Sequence, residues 1–284
     1  MKRTVLGTIV ATLLFFVACE PPGEVRVKEE SSGVEVTSLV RTDTSFGVSP
    51  IDTSGLLPGD EQEFPGSMIL NHVRVDAGFG VQSFTFARVF VGDSSRPIPG
   101  SGGTIGFHGF HLGTIKLNNV PMIERLHRLP GIDTVIIAGF EYFGGPNFSY
   151  VAGQTYTLSG DSVETLGLSI DAPELITVTK PEGGSTINLD QPLELEWVSE
   201  GDIVIVVSRV VRLGIVRPML YLRPLRNGYA IVSEKVLQLL PRNGTYILTF
   251  IRSNRKEVTV ERPLFQGTIL VQAASVHNTV VQSR

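Results

Sequence analysis

Leu193-Glu194-Leu195-Glu196-Trp197 alternates apolar and acidic residues without a break. That period of two belongs to a strand, whose successive side chains leave opposite faces. The three apolar groups are therefore expected to point into a core and both glutamates into water. Trp197 is the only tryptophan of the chain, and its bulk at the end of this run makes it the expected plug of that core. The glutamates read as a solvated strand face rather than as the paired carboxylates of a glycosidase.

The same pattern recurs on either side. Strands are expected at 175–180, 186–189, 193–198, 203–211, 229–232, 246–251, 268–273 and 276–281, with turn residues between most of them. Short, evenly spaced strands of this kind make a β-sandwich over 173–284. Asn243-Gly244, directly before Thr245-Tyr246-Ile247-Leu248, reads as a hairpin turn. Pro181-Glu182-Gly183-Gly184-Ser185-Thr186-Ile187, followed by the 193–197 run, resembles the opening of immunoglobulin-like modules of secreted and cell-surface proteins. In those modules a Pro-Gly-Ser bend lies between the first strands and a tryptophan ends the next. The resemblance implies an immunoglobulin-like sandwich without the cysteine pair of antibody domains, and it implies nothing about a ligand.

Residues 34–172 form a separate β-rich domain in this reading, of no family that the sequence identifies. Its clearest strand is 81–91, where Phe84 and Phe86 share one face and Ala87, Val89 and Val91 the other, so that both faces are expected to be covered. Ile115 and Leu117 alternate with Lys116 ahead of an Asn118-Asn119 turn, and 134–143, 156–158 and 166–170 are further strands. One short segment has helical spacing: Val120, Ile123 and 126–129, stopped by Pro130-Gly131. The fold class expected for the whole chain is thus all-β, two β-sandwich-like domains.

Composition agrees. Thirty glycines and 17 prolines punctuate many β-branched and aromatic runs, and long helix-period stretches are missing. Charge is uneven. Residues 19–172 carry 9 basic and 18 acidic side chains, a net −9, whereas 173–284 carry 13 basic and 10 acidic, a net +3. A basic face could meet anionic headgroups or an acidic glycan, but contact with the acidic domain or plain solvation explains it as well.

The amino terminus gives an address. Lys2 and Arg3 precede an apolar run from 5 to 17, interrupted by Gly7, Thr8 and Thr12. It is shorter than the ~20 residues needed to span a bilayer as a helix, and charge followed by a short apolar run and Ala18 is the build of a secretion signal. Cys19 is the only cysteine. Phe16-Val17-Ala18-Cys19 resembles the lipobox of bacterial lipoproteins, departing from it at Phe16, where the family usually has leucine. The resemblance implies cleavage before Cys19, lipid on its thiol, and a mature chain held on a membrane of the bacterial cell envelope; Glu20 in place of aspartate leans toward the outer membrane. Two or three acyl chains anchor stably where one does not. Residues 19–33, charged and with Pro21-Pro22 near the start, read as the tether. With Cys19 lipidated no disulfide can form, so stability rests on core burial.

Chemistry is sparse. Of the residue types that ligate metals, the nearest to a cluster is His108-Gly109-Phe110-His111 with Glu124 and His127. Residues three apart on a strand face opposite ways, so no metal site is expected from them. Gly100-Ser101-Gly102-Gly103-Thr104-Ile105-Gly106 lacks the Lys-Ser/Thr of a phosphate loop, and no nucleotide or nucleic acid is expected as a partner outside the cytoplasm. No nucleophile elbow or Ser-x-x-Lys is present, so no catalytic residue is nominated and no cofactor is expected. Phe140, Tyr142, Phe143, Phe148 and Tyr150 crowd around Gly144-Gly145-Pro146 and could stack on sugar rings, or simply fill a core. The reading is of a non-catalytic envelope lipoprotein with a structural or interaction role. Its alternatives are a glycan- or polymer-binding surface module and a secreted hydrolase with its site in the first domain.

Overall fold

The computed structural model describes residues 25–29, 33–38, 49–50, 64–100, 103–130, 135–145, 148–160, 166–212, 215–262 and 265–284, and over them the fold is all-β with a single turn of helix. The first half holds β1 (Val25–Glu29), β2 (Val34–Ser38), β3 (Ser49–Pro50), β4 (Gly66–Asp76), β5 (Val81–Gly100) and β6 (Gly103–Gly109). It continues with β7 (Lys116–Leu117), β8 (Val120–Pro130), β9 (Val135–Gly144), β10 (Thr155–Ser159) and β11 (Ser169–Asp171). The second half adds β12 (Thr177–Lys180), β13 (Thr186–Ile187), β14 (Leu193–Val198), β15 (Val204–Arg212), β16 (Ile215–Pro224) and β17 (Tyr229–Val232). It ends with the helix α1 (Glu234–Leu237), β18 (Thr245–Arg262) and β19 (Phe265–Ser283).

One sheet passes through both halves, in the order β1-β2-β16-β15-β18-β19-β4-β5-β9-β8-β7-β10-β11. Its spine is the β18–β19 hairpin, antiparallel from Thr245 opposite Gln282 to Arg262 opposite Phe265. At about 3.3 Å per residue such strands reach roughly 60 Å, enough to serve two cores in succession. β15 joins β18 along Val204–Arg209, opposite 246–251, while β4 joins β19 in parallel from Gly66 opposite Ile269 to Asp76 opposite Thr279. Each half then lays a second layer on the spine. In the first, the sheet's far end curls back, so that Tyr156, Leu158, Leu168 and Ile170 pack on Met68, Leu70, Val89 and Val271. In the second, the separate sheet β12-β14-β17 sets Leu195, Trp197, Ala230 and Val232 on Ile205, Val207, Leu248 and Phe250. The alternation read at 193–197 is realised: Leu195 and Trp197 are buried, while Glu194 and Glu196 both accept hydrogen bonds from Lys180 Nζ at 3.0 Å.

Between the two cores the chain crosses the spine as an extended connector that the sheet grips with polar side chains. Asn254 Nδ2 donates to the Asp171 carbonyl (2.7 Å), the Ile176 N–H donates to Ser275 Oγ (2.9 Å), and His277 Nδ1 lies 3.3 Å from the Ile176 carbonyl. Tyr150 and Arg74 reach in from either side, to the Pro173 carbonyl (2.6 Å) and Thr177 Oγ1 (3.1 Å). His277 is buried at 2% exposure. Burial is the main reason its imidazole is held below the ordinary 6.5; the bond to the Ile176 carbonyl pulls upward, the Arg74 guanidinium adds to the lowering, and Asp76 opposes it least. His72, across from Ser275 on β4, is lowered by burial and Arg74 too. The unfolded chain therefore binds protons at these histidines before the folded one does. The stability that these two histidines contribute is fully present above about pH 6.5 and is lost as pH falls through the interval below it. Urea midpoints are expected to fall between pH 7.5 and 5.5 in the parent and less steeply in His277→Gln; equal slopes would contradict the assignment.

Several expectations are corrected. Residues 120–130 are the strand β8 rather than a helical turn, because Glu124, Arg125 and Leu126 pair across the ladder with Tyr142, Glu141 and Phe140. Coverage of both faces at 81–91 holds for Ala87, Val89 and Val91 but not for Phe84, which is 42% exposed. Asn243 does turn the chain, at φ 55°, but it leads from the α1 segment into β18 rather than joining two paired strands. Runs 268–273 and 276–281 are one strand, since Ala273, Ala274 and Ser275 keep the ladder while leaving room for the connector. β16 has no counterpart in the sequence reading; a register shift beside Pro218 accommodates its missing N–H within the strand. Within the stretch read as tether, Val25–Glu29 pairs with β2.

Candidate functional site

The sequence candidates gather on the β8–β9 hairpin and its neighbours but do not converge on one point. β8 and β9 pair so that Glu124 lies opposite Tyr142 and Arg125 opposite Glu141. Alternation then sends the two pairs to opposite faces of the sheet.

On the inner face the Tyr142 ring is buried in the first core. Its hydroxyl accepts the Leu112 N–H (2.7 Å) and donates to Glu124 Oε2 (3.0 Å). Burial is the main reason its phenol is pushed up to about 12, with Glu124 adding to it. His111 Nε2 meets the same Glu124 oxygen at 2.9 Å, and its ring leans on Phe140 at 4.8 Å between centroids. An imidazole, a carboxylate and a phenol thus stand in line, with the imidazole end open to solvent.

On the outer face Arg88 Nε donates to Glu141 Oε2 at 2.9 Å. His127 Nδ1 is 3.2 Å from that oxygen, though poorly aimed for a hydrogen bond. Burial raises the Glu141 carboxyl, but His127 and Arg88 together outweigh it and hold it below its ordinary value. The His127 ring packs on Phe90 at 4.4 Å, and a bulge at His127 turns the strand locally. Arg125 lies over the Phe143 ring, 5.2 Å from its centroid. Arg125, Leu126, Arg128, Glu141 and Phe143 line a shallow hollow of about 410 Å³.

The metal candidates separate accordingly. His108, on β6 opposite Asp93, His111 and His127 take different neighbours, and among the described residues no three His, Cys, Asp or Glu side chains are placed to hold an ion. Of the aromatic candidates, Tyr142 is buried, and Phe140, Phe148 and Tyr150 pack against the same core. Tyr150 also stacks on Tyr156 at 6.4 Å. Phe143 alone contributes to the hollow, beneath Arg125. The glycine stretch 100–106 is the tip of the β5–β6 hairpin, with 101–102 outside the described residues, as are Cys19 and the whole signal segment.

The pairs that organise this region were not visible along the chain. Arg88 and Glu141 are 53 residues apart, and nothing local marks them as partners. Strand alternation at 120–130, taken in place of helical spacing, would have sent Glu124 and Arg125 to opposite faces without naming their partners on β9. Comparison with known protein families, with curated proteins and with solved structures finds no match to this chain.

Proposed function

We propose that this chain is a lipid-anchored protein of the bacterial cell envelope with a structural or interaction role, and that its second half is an immunoglobulin-like module. The observation that carries the non-catalytic part is how the ionisable groups are engaged. Glu141 is held by Arg88 and neighboured by His127, and Glu124 by His111 and Tyr142, so the carboxylates of this region are engaged in holding their neighbours in place. Anchoring rests on Phe16-Val17-Ala18-Cys19 and the apolar run before it.

The immunoglobulin-like reading is supported by strand order. β12, β14 and β17 make one layer, β16, β15, β18 and β19 the other, and β13 leaves the first layer to run parallel to β19. Trp197 fills the space between layers. The Tyr246 hydroxyl at the start of β18 donates back to the Pro241 carbonyl, the bond known as a tyrosine corner in such sandwiches.

Anchoring is tested on membrane-extracted protein. Intact-mass measurement is expected to give a chain starting at residue 19 with acyl mass on Cys19, and Cys19→Ser is expected to leave the membrane fraction. An unmodified cysteine in soluble mature protein would refute the anchor. The hollow beside Phe143 favours a second reading, a surface module for glycans or other polymers.

A further inference from the structure

We propose that the hollow on β8 and β9 binds a saccharide bearing carboxylates, a uronate, with Arg125 and Arg128 as its anion-holding residues. This deepens the glycan-binding reading above and rests on it. Charge comes first. The one carboxylate lining the hollow, Glu141, is already matched by Arg88 at 2.9 Å and by the nearby His127. Among the described residues neither Arg125 nor Arg128 has a carboxylate partner. Two exposed guanidinium groups therefore border the hollow with their charge uncompensated, in a half whose net charge is −9 over 19–172. Guanidinium is the side chain best suited to grip a carboxylate with two parallel N–H donors.

Shape comes second. Arg125 rests on the Phe143 ring, which restricts its side chain and holds the guanidinium ready rather than free in solvent. Leu126 and the rim of Phe143 offer apolar surface for the C–H face of a pyranose. A volume of about 410 Å³ falls within the range of roughly 300–1,000 Å³ usual for small-ligand sites and suits one or two sugar rings. An acidic peptide fits less well. Among the described residues the edge of β8 beyond Met122 carries no partner strand, but the bulge between Leu126 and Arg128 interrupts the ladder that an added strand would need.

The test is calorimetric titration of the full chain, in detergent, with a galacturonic acid oligomer, a neutral glucan oligomer and polyglutamate. The galacturonate is expected to bind, more weakly as salt is raised. The dissociation constant should rise at least about tenfold in Arg125→Gln/Arg128→Gln, two exposed positions whose loss leaves the core untouched. Arg226→Gln, an exposed arginine of the other half, should bind like the parent. Absence of galacturonate binding, unchanged binding in the double variant, equal weakening by Arg226→Gln, or equally tight polyglutamate or glucan would each overturn the proposal. Binding of the neutral glucan without the galacturonate would overturn the uronate assignment and leave the glycan-binding reading standing, whereas binding of neither sugar would overturn both.

Discussion

Replacing Trp197 by alanine is expected to lower the free energy of unfolding by about 3–5 kcal/mol, the cost of deleting a large buried aromatic. The indole is 3% exposed and lies between the two layers of the second half, 5.9 Å from the Phe250 ring between centroids. Its Nε1–H reaches Asn227 Oδ1 at 3.3 Å, and Asn227 in turn donates to the Ser199 carbonyl, so the ring also fixes the turn into β17. Alanine would leave a void that Leu195, Val207 and Ala230 on fixed strands cannot collapse to fill. Denaturant unfolding followed by circular dichroism measures the loss, since the variant has no tryptophan to report. A change below about 1 kcal/mol would contradict the register given to β14, because buried large-to-small changes do not come so cheaply.

The second large effect is expected at Gly139. Its φ is +97°, a region that L side chains enter with strain, and a Cβ there would collide with the backbone carbonyl oxygen of Gly109. Gly109 is constrained by space alone, for its own Cβ would stand 2.8 Å from the Phe140 carbonyl oxygen. β6 and β9 therefore pass backbone against backbone at this point. Gly139→Ala is expected to cost about 1–3 kcal/mol in dihedral strain and about 1–3 kcal/mol more in pushing the strands apart. Equilibrium unfolding measures the sum. A variant as stable as the parent would mean that the two strands do not cross there. The same contact accounts for the glycine inside His108-Gly109-Phe110-His111, which in the sequence drew attention only for its histidines.

Alternation carried much of the fold into view before any coordinates did. At 193–198 and 229–232 the strand bounds read from apolar periodicity agree with the strands found. Asn118 and Asn119, at φ 48° and 66°, make the turn their residue types suggest, in a two-residue hairpin between β7 and β8. Where the reading fell short, a polar or small stretch belonged to the sheet for a reason located elsewhere in the chain. Arg252-Ser253-Asn254 breaks the apolar pattern of β18, yet Asn254 is there to hold the Asp171 carbonyl. Ser275 and His277 interrupt β19 in the same way and bind Ile176. A window of neighbouring residues holds no trace of a partner about 100 positions away. The candidate site was obscured for the same reason, its ion pairs joining residues of different strands. Only register brings Arg88 to Glu141 and Tyr142 to Glu124.

Both halves are held to one ladder, so the middle of the spine is where the architecture is most exposed to test. Native-state hydrogen exchange on the full chain reads it directly. The amides of 273–276, flanked by β18 on one side and β4 on the other, are expected to exchange as slowly as those of 246–251 in the second core. Rapid exchange at 273–276 with slow exchange on either side would mean two sandwiches joined by a loose strap, and the single continuous sheet would be wrong.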